Sequence, residues 1–407
     1  MKFIKLLPYT KPILFWMVAL ALLFEVLLHS FLNELPLKFL AHSTGPIHRL
    51  GQYSKKDVVP QGHIAVIGDS NVYGFGPWLY DNSWSMEQPT FATHHLLHNS
   101  LNQDFIAYGF PGYGTFGYTL STIAEYNMIN GSLIWSKFPE PHQILIVFYE
   151  GNDLINNLHE VQHRGLHIDN ISQENFKQQI KRLIKDESAE LESGFSFTDH
   201  IACWNITHGL LKNYLNKFSQ ESDNIIEPIK DENLNQSSEN QDKPNEPENI
   251  ALVGGKKISL GYLEGPALHL TNNEINLSLE ITKQSFNYIK KKFPQSQIDA
   301  VYLSTALSLY DFNSSKLRPA PLELYIKSGT ARDRTFSEAE VKLKNMHLRK
   351  SMKTITQELK IGFIDTTDSM SKIAKDYRLH GPRDPIHLNR KGYETFADII
   401  SLHLKRI

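Results

Sequence analysis

Residues His63–Asn71, with the sequence HIAVIGDSN, decide how this chain folds. They form a short, continuous apolar run that ends in a glycine and polar residues. That pattern is typical of a parallel β-strand that is buried on both faces and followed by a turn. Four similar runs follow, at 104–108, 143–149, 298–303 and 361–365. The chain is therefore expected to build a parallel sheet.

Helix-period segments alternate with these strands. The spacing of apolar residues predicts helices over 273–292, 337–359 and 394–407. Strands that alternate with helices indicate a doubly wound α/β sandwich, with helices on both faces of the sheet. The gap between the third and fourth strands is too long for one crossover and predicts an insertion over 155–270.

The insertion contains a segment that is poor in apolar residues, 219–249. It carries nine acidic and two basic residues. Such a segment cannot bury enough apolar surface to offset the entropy lost on ordering, so we predict a disordered acidic loop. One or two helices are expected just before it, within 195–218.

Charge and cysteine content exclude several classes of protein. The 407 residues include 42 Lys and Arg against 44 Asp and Glu, so nothing in the overall charge favours nucleic acid as a partner. The single cysteine, Cys203, excludes an internal disulfide framework and a cysteine-rich zinc site. Cys203 is expected to be a packed thiol. A single cysteine favours a protein of a reducing compartment or of a bacterial envelope poor in disulfides.

The N-terminal region has the pattern of a membrane anchor. An apolar stretch over 12–32, interrupted by Glu25, has 21 residues, close to the ~20 that cross a bilayer. The lysines in residues 1–11 predict a cytoplasmic N-terminus, with the connector 33–62 and the domain 63–407 outside. A cleaved signal peptide and a buried core helix are the alternatives.

Three strands end in residues that can carry chemistry. Ser70 follows the first strand, at the carboxyl edge where open α/β sheets bind ligands, but Gly68–Asn71 also fits an ordinary helix N-cap. Gly112 lies in a glycine-rich turn that can present backbone N–H groups to a ligand. Asn152 follows the third strand and can either aim its amide at the same edge or form a simple turn.

A fourth segment, Asp384–His387, precedes the last helix. A carboxylate three residues before a histidine can hold the Nδ1–H, which leaves Nε2 free to accept a proton from a hydroxyl. An aspartate at a helix start beside an exposed histidine would fit the same residues.

The order of the four segments resembles the SGNH (GDSL-type) hydrolase superfamily in a membrane-anchored bacterial form. The matching residues are Gly68-Asp69-Ser70, Gly112, Gly151-Asn152-Asp153 and Asp384-x-x-His387, and the resemblance spans 63–400 apart from the insertion. It implies a three-layer α/β/α sandwich with a flavodoxin-like parallel sheet of about five strands. Asn71, where leucine is commoner, and Ala107, where many members have asparagine, depart from the pattern.

The resemblance also implies a role for each residue. Ser70 would be the nucleophile, His387 the general base and then acid, and Asp384 the residue that orients the imidazole. The oxyanion would be held by the backbone N–H groups of Ser70 and Gly112 and the side-chain amide of Asn152. The protein would be a serine esterase that needs no cofactor or metal.

Its substrates are expected to be acylated glycans, lipids or small molecules of the cell envelope. The catalytic domain would face the periplasm or the exterior, anchored in the bacterial inner membrane. An O-acyltransferase with the same residues and a non-catalytic envelope scaffold are the alternatives. The oligomeric state is left open.

Weaker motifs have simpler explanations. His94 and His98 lie one helical turn apart, as metal ligands can, but a solvated helix face is expected. Residues 112–117 match G-x-G-x-x-G, yet they follow the second strand, and no acidic residue ends a strand about 20 residues later, as dinucleotide binding needs. Trp78 and Tyr80 fit a substrate wall or core packing equally well.

Overall fold

The computed structural model describes most of the chain. The described residues are 7–35, 46–76, 90–131, 137–168, 171–193, 201–204, 206–208, 210–211, 249–261, 263–320, 334–382, 384 and 386–406. The predicted acidic loop, apart from Asn249, lies outside these residues, as do Trp78 and Tyr80.

A five-stranded sheet forms the centre of the molecule. All of its strands are parallel, and their order is β2-β1-β3-β6-β8, which is flavodoxin-like. The strands are β1 Ile64–Gly68, β2 Phe105–Gly109, β3 Gln143–Tyr149, β6 Gln297–Leu303 and β8 Gly362–Asp365. The predicted sheet is thus confirmed to within one residue at each strand boundary.

Helices lie before, between and after these strands. They are α1 Leu7–His29, α2 Pro46–Leu50, α3 Ser70–Tyr73, α4 Thr93–Leu101, α5 Thr115–Gly131, α6 Asp153–His163, α7 Gln173–Ser193, α8 Asn272–Lys292, α9 Ala306–Leu309, α10 Glu338–Leu359, α11 Thr367–Ala374 and α12 Arg390–Leu404. The last helix begins four residues earlier than predicted, because the Asn389 side chain caps it by accepting the Gly392 N–H at 3.0 Å.

Both faces of the sheet are buried. Along β1, Ala65 and Ile67 belong to one hydrophobic core, and Ile64 and Val66 belong to another on the opposite face. Helices α5, α6, α7 and α8 contribute to the first core, and α4, α11 and α12 to the second. The alternation of strand side chains therefore builds the expected three-layer α/β/α sandwich.

A second, smaller sheet was not predicted. Its three strands are antiparallel in the order β5-β4-β7, with β4 Ile250–Val253, β5 Lys256–Ser259 and β7 Asp311–Phe312. Gly254 and Gly255 join β4 to β5 with φ of 57° and 74°, as a tight hairpin requires. These strands are too short for apolar periodicity to reveal them, although the Gly-Gly pair is a hairpin signal.

The connector after α1 covers the edge of the sheet. Gln52 hydrogen-bonds through its side chain to both the carbonyl and the N–H of Ala107, at 2.7 and 2.8 Å. The buried Arg49 donates to the Ala107 carbonyl at 2.8 Å and to Glu125 at 2.6 Å. Polar groups of β2 that would otherwise be unpaired at a sheet edge are satisfied in this way.

Helix α1 stands apart from the cores over most of its length. Its stretch Pro12–His29 has a mean hydropathy of 2.1, and 6% of that stretch is buried. Ile13, Trp16 and Leu22 are each more than half exposed. By length and composition, the helix could cross a membrane.

Candidate active site

Ser70 lies at the carboxyl end of β1, on the first turn of α3. Asp69 precedes it as the N-cap, and its carboxylate accepts the Asn71 N–H at 2.9 Å. The capping role that the sequence left open therefore belongs to Asp69, and the Ser70 hydroxyl makes a different contact. The chain turns tightly here, since a Cβ on Gly68 would meet the Val72 side chain at 2.6 Å.

The Ser70 hydroxyl hydrogen-bonds to His387. Its Oγ lies 2.8 Å from the His387 Nε2, and the other ring nitrogen, Nδ1, lies 2.6 Å from the Asp384 Oδ2. The second carboxylate oxygen of Asp384 accepts the backbone N–H groups of Ile386 and His387, both at 3.1 Å. Two distant parts of the chain thus bring together a continuous hydroxyl–imidazole–carboxylate array.

Electrostatics around this array make the imidazole more basic. Burial is the largest single effect and opposes charge on both partners, but their hydrogen bond and the neighbouring charges and donors together outweigh it, so the pKa of His387 is raised and that of Asp384 is lowered. Phe75 packs edge-to-face on the imidazole at 5.7 Å and restricts the ring's orientation. A basic, oriented imidazole is suited to take a proton from a serine hydroxyl.

Asn152 lies beside Asp69, the N-cap residue before Ser70. It follows β3, occupies the N-cap position of α6 without a side-chain cap bond, and is 7% exposed. Its side chain is close enough to the fully buried Asp69 carboxyl to favour the charged form, as do the bonds from Asn71. Burial raises the pKa of Asp69, and these hydrogen bonds only partly offset that effect. The Asn152 amide therefore lies close to the start of α3.

Gly112 lies in the exposed turn after β2, with φ of 80°. A Cβ at this position would meet nothing within 4 Å, so the backbone faces open space and not packed protein. The turn starts next to Ser70, because the Phe110 N–H donates to the Gly68 carbonyl at 3.0 Å. A backbone approached only by solvent is accessible to a substrate.

Helix α6 braces the chain that follows Gly112. The Glu160 carboxylate accepts the Gly114 N–H at 2.7 Å, and the Asn157 Oδ1 accepts the Phe116 N–H at 3.0 Å. A Cβ on Gly117 would meet both Glu160 carboxylate oxygens at 2.7 Å. The later glycines of the G-x-G-x-x-G match therefore permit close packing of the chain on α6, the helix that follows Asn152.

Sequence reasoning missed one further acidic residue at the site, Glu264. It lies within the stretch assigned to the insertion, is 6% exposed, and its charge contributes to the raised pKa of His387. Its carboxylate lies against Gly151, since a Cβ there would meet the Glu264 Oε2 at 2.5 Å. No local pattern around Glu264 signals this contact, because the glycine that makes room for it is over 100 positions away.

The histidine pair of α4 differs from expectation. A solvated face was predicted, but His94 is 6% exposed, and burial together with the charges of His95, His48 and Arg49 lowers its pKa. His98 hydrogen-bonds through Nδ1 to the Gln103 carbonyl at 2.6 Å. Within the described part of the chain, no group of three or more His, Cys, Asp or Glu side chains is arranged to hold a metal ion. Cys203 is partly buried.

Comparison with known proteins gives a family match. The model of the GDSL-like lipase/acylhydrolase family matches residues 64–400. No curated protein matched the chain.

Solved structures of esterases also match. An aryl esterase of M. smegmatis is 11% identical with a TM-score of 0.32, and the match covers 85% of this chain and 99% of that one. A carbohydrate esterase family 2 enzyme of Corynascus thermopiles is 10% identical with a TM-score of 0.36, covering 86% and 67%. An acetyl xylan esterase of Butyrivibrio proteoclasticus is 10% identical with a TM-score of 0.33, covering 86% and 64%.

Proposed function

Because this chain belongs to the family of GDSL-like lipases and acylhydrolases, and so is a hydrolase of ester bonds, we propose that Ser70, His387 and Asp384 perform its chemistry. The observation that carries the proposal is the 2.8 Å contact between the Ser70 Oγ and the His387 Nε2. A serine hydroxyl is a weak nucleophile unless a positioned base accepts its proton. The Asp384 carboxylate, 2.6 Å from Nδ1, holds the ring in the tautomer that leaves Nε2 free to do so.

The reaction proceeds in two halves. The Ser70 oxygen attacks the ester carbonyl while His387 takes its proton, and His387 then gives that proton to the departing alcohol, leaving an acyl group on Ser70. In the second half, His387 removes a proton from water, the hydroxide attacks the acyl group, and the proton returns to Ser70 as the acid leaves.

Negative charge on the carbonyl oxygen is stabilised by three donors. These are the backbone N–H groups of Ser70 and Gly112 and the side-chain amide of Asn152. The proximity of the Asn152 side chain to Asp69, the residue before Ser70, supports the assignment, because it places the amide close to the nucleophile. Donors that are fixed in advance pay no reorganisation cost in the transition state.

We further propose that α1 anchors the enzyme in a bacterial inner membrane with the catalytic domain outside the cytoplasm. The exposed apolar surface of Pro12–His29 and the preceding lysines support this topology. Acylated glycans or lipids of the envelope are then the substrates within reach of the site.

The test is labelling with a fluorophosphonate probe, which reacts with activated serines. The full-length protein should be labelled at Ser70, and Ser70→Ala should abolish both labelling and ester cleavage. Ser304→Ala is the matched control, because Ser304 is also buried and directly follows β6, another strand of the same sheet. Folded protein that is not labelled at Ser70 would favour a non-catalytic scaffold.

The same protein should then be offered acetyl esters, longer acyl esters and O-acylated glycans. Mass spectrometry of the products distinguishes release of the free acid from transfer to a second hydroxyl. Hydrolysis is the expected outcome, and a transferred acyl group in the presence of an acceptor glycan would identify an acyltransferase instead.

A further inference from the structure

Glu25, the residue that interrupts the apolar sequence of α1, accepts hydrogen bonds from the inserted segment 155–270. It is 6% exposed, and its two carboxylate oxygens accept the backbone N–H groups of Ala202 at 2.6 Å and Cys203 at 2.8 Å. His29, one turn later in α1, hydrogen-bonds to the same carboxylate at 3.0 Å. A carboxylate removed from water needs such donors. The anchor helix and the insertion are therefore joined at Glu25.

The segment that begins at this junction is helical and two-sided. Residues 202–204, 206–208 and 210–211 are helical. On the inner side, Ala202 is buried and Ile206 packs against the core. On the outer side, Trp204 is 55% and Leu211 is 53% exposed. Trp204 and Leu211 are seven positions apart, a spacing at which two residues of a helix share a face.

We propose that residues 201–204, 206–208 and 210–211 form a second membrane-contacting segment, which Glu25 docks beside α1 so that Trp204, Leu210 and Leu211 enter the lipid. The inference rests on the proposed anchoring of α1. The proposal is supported by apolar surface that continues from α1 to the docked segment. Val26 and Leu27, the neighbours of Glu25 in α1, are 65% and 50% exposed. Lipid that covers these side chains also reaches the apolar side of the docked segment.

The position of Glu25 along α1 sets the depth of the segment. Since an α-helix rises about 1.5 Å per residue, Glu25 lies about 6 Å from the His29 end of the apolar stretch. That stretch is about 27 Å long, close to the ~30 Å hydrocarbon core. Glu25 therefore lies near the boundary between acyl chains and headgroups. Tryptophan is enriched at this depth, and amphipathic helices lie in this plane.

The test measures the depth of single labels in the full-length protein. The protein is placed, one copy per disc, in nanodiscs of phosphatidylethanolamine and phosphatidylglycerol. Cys203→Ser removes the only cysteine and keeps the backbone N–H that donates a hydrogen bond to Glu25. A fluorophore at Leu211→Cys should be quenched several-fold more by nitroxide lipids than one at Leu402→Cys, and less by aqueous iodide. Leu402 is the matched control, an exposed leucine on α12 at 57%.

A label at Val18→Cys, in the middle of α1, separates the two proposals. A lipid-exposed label at 18 with a water-exposed label at 211 would overturn the docking and leave the anchor intact. Water exposure at both positions would overturn both. Labelling of Ser70 by the fluorophosphonate probe depends on neither result.

The role of Glu25 is tested by Glu25→Leu, which removes the acceptor and makes α1 more apolar. The label at 211 should then lose most of its quenching by nitroxide lipids, while the label at 18 should be quenched as strongly as before. Unchanged quenching at 211 would show that Glu25 does not dock the segment. If the label at 211 were protected from iodide only in discs that hold two copies of the protein, a second chain and not lipid would cover this segment, which would overturn the proposal.

Discussion

The Glu264 carboxylate lies against Gly151, where any Cβ would come within 2.5 Å of its Oε2. Only glycine leaves room for this contact, and Gly151 belongs to the turn that ends β3. Burial alone would lower the pKa of His387, but the Asp384 hydrogen bond and the charges of Asp384, Asp69 and Glu264 together raise it. A residue from the inserted part of the chain thus contributes to the basicity of the His387 imidazole.

We predict that Glu264→Gln shifts the acid limb of the kcat/KM–pH profile to lower pH. His387 must be neutral to accept the Ser70 proton, and loss of a nearby negative charge lowers the pKa of His387, so the ring stays neutral in more acidic solution. Glu264→Asp, which keeps the charge, is the control, and the pH of its acid limb should stay closer to that of the wild type. If the acid limb of Glu264→Gln lay at the wild-type pH, the charge of Glu264 would not influence the pKa of His387.

Asp384→Asn should reduce kcat by about 10²–10⁴-fold while leaving the melting temperature near that of the wild type. An amide NH₂ facing Nδ1 favours the tautomer with hydrogen on Nε2, which cannot accept the Ser70 proton. The Asn Oδ1 can still accept the N–H groups of Ile386 and His387. The check is kcat together with thermal unfolding, and a large loss of stability would assign Asp384 a structural role instead.

Local sequence patterns predicted the parts of the fold that depend on neighbours along the chain. Each strand of the central sheet is a continuous apolar run, and Ser70, Gly112 and Asn152 directly follow such runs. Because parallel strands end at one edge, the order of these segments was enough to expect that they lie close together.

Contacts between distant segments were beyond local patterns. His94 belongs to a polar-looking sequence, yet it is buried near His48 and Arg49 of the connector, and nothing close to His94 in the sequence encodes that packing. Glu25 appeared only as an interruption of an apolar run, because its donors at Ala202 and Cys203 are far along the chain. Glu264 was missed for the same reason.

Asn152→Ala should lower kcat by about 10²–10³-fold with little change in KM. The amide is proposed to bind the oxygen only when it becomes negative, so its loss affects the transition state more than the bound substrate. Asn156→Ala, a similarly buried asparagine one turn along α6, is the matched control and should keep near-wild-type kcat. A change confined to KM would indicate that Asn152 contributes to substrate binding only.

Glu160 should make the stability of the fold depend on pH. Burial raises its pKa from the usual 4.5 to about 8, although the Gly114 N–H and other donors favour the charged form. Between about pH 4.5 and pH 8 the folded state keeps a proton that the unfolded chain releases. Rising pH therefore favours unfolding in this window.

Glu160→Gln removes this dependence, because the amide stays neutral and its oxygen can still accept the Gly114 N–H. We expect the variant to match the wild type near the lower end of the window and to exceed it at the upper end by on the order of 1–4 kcal/mol. Melting temperatures measured across the window provide the check. The surface variant Glu394→Gln on α12 should follow the wild-type curve. If the Glu160→Gln curve also ran parallel to the wild type, Glu160 would already be ionised in the folded protein, and its charge would have to be stabilised by Arg164 and the backbone donors of the Gly112 turn.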